Sequence, residues 1–104
     1  MRDRAFEEQA LRLIAVGSAN PAVERLVAAR LAWGDEEYGR ARKSWDADGF
    51  QEAADEAIDG ISWLLLHVQN VECDGDVREY AMRACRAFAE AHRELAVALH
   101  LVAA

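Results

Sequence analysis

Apolar residues recur every three or four positions along most of the chain, and that period predicts four helices. Phe6, Ala10, Leu13 and Ile14 place the first over about residues 3–16, with Gly17 close behind its last apolar position. Ser18-Ala19-Asn20-Pro21 reads as a stop and a restart. Asn20 can cap the second helix, and Pro21 fits its first turn, where no N–H is needed. Val23, Val27, Leu31, Gly34, Tyr38 and Ala41 then share one stripe of that second helix. Gly34 lies inside the stripe and leaves two outcomes open, a helix that continues at a cost of about 1 kcal/mol relative to alanine or a turn at Trp33-Gly34-Asp35.

Ser44 to Gly49 reads as a loop in which Asp46 or Asp48 caps a third helix over about residues 50–69. Phe50, Ala54, Ala57, Ile61, Leu64 and Val68 form its apolar seam. A polar connection from Asn70 to Asp76 follows, and the fourth helix starts at Asp76 or Val77. There Val77, Ala81, Ala84, Phe88, Ala91, Leu95, Ala98 and Val102 keep a four-three alternation, a coiled-coil-like seam. Short connections between four helices lead to an expected all-α fold, a four-helix antiparallel bundle forming one helical domain over residues 1–104.

Composition changes this picture in one respect. With 22 alanines, one proline and six glycines, the chain suits closely packed helices and not a sandwich or barrel rich in tight turns. Leu99, Leu101, Val102 and the alanine-rich seam are more apolar surface than one small bundle covers, which predicts a homo-oligomer, a dimer or a tetramer. The alternative is that this seam packs inside the monomer.

Net charge is −7, but it is local. Between Lys43 and Arg78 there are nine acids and no Lys or Arg, and the rest of the chain holds ten acids against twelve bases. Nucleic acid is thereby excluded as a partner, because counterion release needs a broad basic surface. The N-terminus is charged at once and lacks the apolar core of a signal peptide, and no apolar run reaches the roughly 20 residues of a membrane span. The expectation is a cytoplasmic protein without a membrane partner, its Cys73 and Cys85 free thiols.

Within the acidic segment, Glu52, Asp55, Glu56 and Asp59 follow an i, i+3, i+4, i+7 pattern on one face of the third helix. Like charges four apart destabilise an isolated helix by a few tenths of a kcal/mol per pair, so helix stability did not select them. Carboxylate oxygens suit Mg²⁺, with Mn²⁺ or Ca²⁺ also fitting. A solvated acidic face near the positive end of the helix dipole is the other reading. Asp35-Glu36-Glu37 is a second acidic group, able to join the first where the second and third helices are antiparallel neighbours, and otherwise part of a loop surface.

The segment Glu52-Ala53-Ala54-Asp55-Glu56-Ala57-Ile58-Asp59-Gly60-Ile61-Ser62-Trp63-Leu64-Leu65 resembles the metal-binding helix of the all-α nucleoside triphosphate pyrophosphohydrolases, the MazG-like superfamily, in which an E-x-x-D pair precedes an apolar run. Glu56 and Asp59 match that pair, and Trp33-Gly34-Asp35-Glu36-Glu37-Tyr38-Gly39 is similar to the segment that carries the first acids. The MazG-like core covers about residues 21–70. The family's first motif is E-E-x-x-E, and here Glu36-Glu37 matches its leading pair while Arg40 stands where the last acid belongs. Glu52 or Asp55 then supplies the missing ligand, or metal binding is weakened, or the activity has been lost.

The resemblance implies Mg²⁺-dependent cleavage of a nucleoside triphosphate between its α and β phosphates, releasing pyrophosphate and a nucleoside monophosphate. It implies Glu36, Glu37, Glu56 and Asp59, with Glu52, as metal ligands, and Glu37 or Glu52 as the carboxylate that orients or deprotonates the attacking water. Arg40 and Lys43 border the acids and can meet phosphate. Trp33 and Trp63 can stack a base or belong to the core, and His67, one turn after Trp63, reads as structural. A function of a different class also fits the composition: a non-catalytic helical oligomerisation or regulatory module whose acidic face recruits a basic partner.

Overall fold

The computed structural model describes residues 3–38 and 49–103. Those residues form four helices and no strand: α1 (Arg4–Ser18), α2 (Ala22–Tyr38), α3 (Gly49–Asn70) and α4 (Gly75–Ala103). The all-α expectation holds. The helices pair as two hairpins, α1 with α2 and α3 with α4, which belong to separate units of the chain.

In the first unit, Asp3 caps α1, its Oδ1 accepting from the Phe6 N–H at 3.1 Å. Gly17 does not end this helix. The chain continues to Ser18 and turns at Ala19, whose φ of 53° is left-handed. The Asn20 N–H donates to the Ala15 carbonyl at 3.0 Å and the Ala19 N–H to that of Val16 at 3.2 Å, the two bonds of a Schellman motif. A glycine would adopt that φ without strain, so the stop lies two residues past the glycine that the sequence pattern pointed to.

The apolar stripe expected on α1 is also displaced. Ala15 is buried and Glu7, Ala10 and Leu11 are half-buried, whereas Phe6, Leu13 and Ile14 are exposed. The helix thus packs through a 7–11–15 ridge, Glu7, Leu11 and Ala15, and Phe6 and Leu13 lie off it. On α2 the predicted stripe stands: Val23, Val27 and Leu31 are half-buried, and α2 runs unbroken through a buried Gly34. The turn alternative at Gly34 is therefore excluded. Asp46, Asp48 and Ala41 lie outside the described residues, as does the rest of the expected loop.

In the second unit, α3 begins at Gly49 and ends at Asn70, one residue beyond the predicted bound at each end. Near its C-terminus the Gln69 and Asn70 side-chain amides fold back onto the carbonyls of Leu65 and Leu66, and the Val71 N–H donates to the His67 carbonyl, one of the four that the helix end leaves without an intrahelical partner. Asp74 caps α4, its Oδ1 accepting from the Val77 N–H at 2.9 Å, so the helix starts at Gly75 and earlier than expected.

Ala54 and Ala57 are buried and Ile61, Leu64 and Val68 half-buried, which confirms the α3 seam from its second position on. Across it, Ala81, Ala84, Leu95 and Ala98 are half-buried, as predicted. Ala91 is exposed, however, and His92 takes its place, while Cys85 is buried. The predicted seam therefore holds at 81, 84, 95 and 98, widens to take in Cys85 and Leu99, and moves by one residue only at 91, where His92 replaces Ala91. Gly60 lets α4 approach: a Cβ there would stand 2.8 Å from the Phe88 ring. Gly60 is ten residues before the end of α3 and Phe88 thirteen after the start of α4, so the chain reverses at the connection and the two helices run back past each other.

Candidate functional site

The first half of α3 gathers its chemistry on one face. At about 100° per residue, Glu52, Glu56, Asp59 and Trp63 fall within about 60° of arc, away from the seam that meets α4. All four are exposed. Their direction follows from the helical period: once Ala54, Ala57, Ile61 and Leu64 turn to α4, positions 52, 56, 59 and 63 must turn away.

Asp55 lies at the edge of this stripe, and its Oδ1 accepts from the Gln51 amide at 3.0 Å. Among the described residues, no cationic side chain forms an ion pair with Glu52, Glu56 or Asp59. In the same hairpin, α4 carries the ion pairs Arg83–Glu79 at 2.6 Å and Arg93–Glu94 at 3.6 Å. At a rise of about 1.5 Å per residue, Glu52 and Asp59 stand about 10 Å apart along the axis, with Glu56 between. They do not converge on one point. Accordingly, no group of three or more His, Cys, Asp or Glu side chains among the described residues is placed to hold a metal ion. Neighbouring members of the stripe still offer two carboxylates at a time. That donor set suits Mg²⁺, which takes one or two carboxylates and completes its shell with water and phosphate oxygens.

Glu36 and Glu37 belong to α2, in the other hairpin, and both are exposed. Arg40 and Lys43 lie outside the described residues. Trp63 is 73% exposed and Trp33 45%, which removes both from the core. His67 is exposed in the last turn of α3, while His92 is half-buried on the α4 seam.

No family model matches the chain, and neither a curated protein nor a solved structure is significantly similar to it. What the site can do rests on its own residues.

Two features escaped the sequence reading. Arg30 lies over the Trp33 ring with its guanidinium carbon 5.4 Å from the centroid, a contact worth about 0.5–1 kcal/mol at an exposed site. Its only signal was an i, i+3 spacing. The second is an open groove of about 150 Å³ between α1 and α2, lined by Arg4, Glu7, Glu8, Leu31 and Asp35 among others. Sites for drug-sized ligands occupy about 300–1,000 Å³. The groove is too small to enclose a nucleotide.

Proposed function

We propose that the protein is a Mg²⁺-dependent nucleoside triphosphate pyrophosphohydrolase that releases pyrophosphate and a nucleoside monophosphate. The observation that supports this reading is the exposed stripe of Glu52, Glu56, Asp59 and Trp63 on α3, with no cationic partner among the described residues. Glu56 and Asp59 form the E-x-x-D pair that holds the ion, Mg²⁺ or Mn²⁺, with Glu52 beside them. The resemblance implies Glu36 and Glu37, on α2, as further carboxylates for metal binding. When bound, the metal ties the phosphates to the protein and offsets charge that develops as water attacks. Glu52 or Glu37 orients that water or takes its proton. Trp63 exposes its ring for stacking a base, Trp33 is the second stacking candidate, and Arg40 and Lys43 are the candidates to meet phosphate. The experiment is direct: purified protein is incubated with standard and modified ribo- and deoxyribonucleoside triphosphates plus Mg²⁺, and pyrophosphate is measured. Absence of release across the panel overturns the assignment.

A second reading, a non-catalytic helical oligomerisation or regulatory module, draws on a different observation. Among the described residues only Ala15, Ala54, Ala57 and Cys85 are buried apolar side chains, none of them large, while Phe6, Leu13, Trp63, Tyr80 and Leu101 are each at least 66% exposed. Either way, self-association into a dimer or tetramer follows as part of the proposal, and sedimentation at micromolar concentration tests it. A monomer throughout would remove the homo-oligomer from both readings.

A further inference from the structure

We draw no further inference here: the strongest candidate, the exposed apolar side chains Ile58, Trp63, Tyr80 and Leu101 on the α3–α4 hairpin, carries nothing because no feature of the structure shows what covers it.

Discussion

The α1–α2 hairpin buries Ala15 and Gly34 and leaves Phe6, Leu13, Ile14 and Val16 exposed, whereas the α3–α4 hairpin buries Ala54, Ala57 and Cys85 along a seam closed by Gly60 against Phe88. Length accounts for part of the contrast, since helices of 15 and 17 residues offer a shorter contact line than helices of 22 and 29. Side-chain size accounts for more. Alanine and glycine at the α3 contact line allow close approach, and the longer seam repeats that contact over several turns. The two hairpins also differ in charge. The α1–α2 groove sets Arg4 among its acids, while the free face of α3 carries acids alone. The carboxylate stripe therefore sits on the hairpin with the longer packed seam.

The largest expected effect tests whether that difference in charge carries the chemistry. Glu56→Gln and Asp59→Asn should each lower kcat/KM for triphosphate cleavage by about 10²-fold or more, the order found when one charge-stabilising group is removed from an active site. Glu8→Gln, in the groove of the other hairpin, should stay within about twofold. Equal losses from both hairpins, measured as pyrophosphate release, would erase the contrast.

Packing is tested next. Gly60→Val should destabilise the chain by about 2 kcal/mol through overpacking against Phe88. For a chain of this size that corresponds to a melting temperature lower by roughly 8–16 °C. In a Phe88→Ala background the same substitution should cost at least about 1 kcal/mol less, because the colliding ring is gone. Additive losses in urea denaturation would show that the close approach at Gly60 does not set the seam.

Two capping changes should have smaller effects of opposite sign. Asp74→Ala removes the oxygen that accepts the Val77 N–H and should cost about 1 kcal/mol. Ala19→Gly relieves a left-handed residue at the α1–α2 turn and should add about 0.5–1 kcal/mol. Thermal melts of the two variants, compared with the wild type, check both signs.

How much of this was legible in the sequence follows from the kind of signal each feature leaves. The four helices, and the seam residues Ala54, Ala57, Ile61, Leu64 and Val68, follow from periodicity, which survives any detail of packing. The face of α1 was misread because period alone does not choose between a ridge through Phe6 and Leu13 and one through Glu7, Leu11 and Ala15. The partner helix decides that. On α4, His92 takes the place of Ala91 and Cys85 joins Ala84 for the same reason: several positions satisfy the same spacing, and the approach at Gly60 and Phe88 selects among them. Ala19 was missed because the local hydrogen bonds, not residue preference, place the left-handed position there. Of the candidate site, the shared direction of Glu52, Glu56 and Asp59 was legible, since it needs only the helical period. Their spread of about 10 Å along the axis, which leaves two carboxylates at a time for any one ion, needed the helix to be in hand.

The smallest expected effect concerns Glu56 in the absence of divalent metal. Glu52 and Glu56 are like charges four residues apart, so removing one charge relieves a repulsion worth a few tenths of a kcal/mol. The helix dipole opposes this by favouring acids near the N-terminus, but its influence falls off within the first turn, and Glu56 is the eighth residue of α3. Repulsion therefore dominates, and Glu56→Gln should stabilise the metal-free protein by about 0.3 kcal/mol while weakening its catalysis. Millimolar Mg²⁺ should reverse the order. At ten times the dissociation constant, binding adds about 1.4 kcal/mol to the wild type, and the variant that has lost a ligand gains less. A metal-free Glu56→Gln less stable than the wild type would mean that a cation already holds this carboxylate, and the acid face of α3 would no longer differ in kind from the mixed groove of α1 and α2.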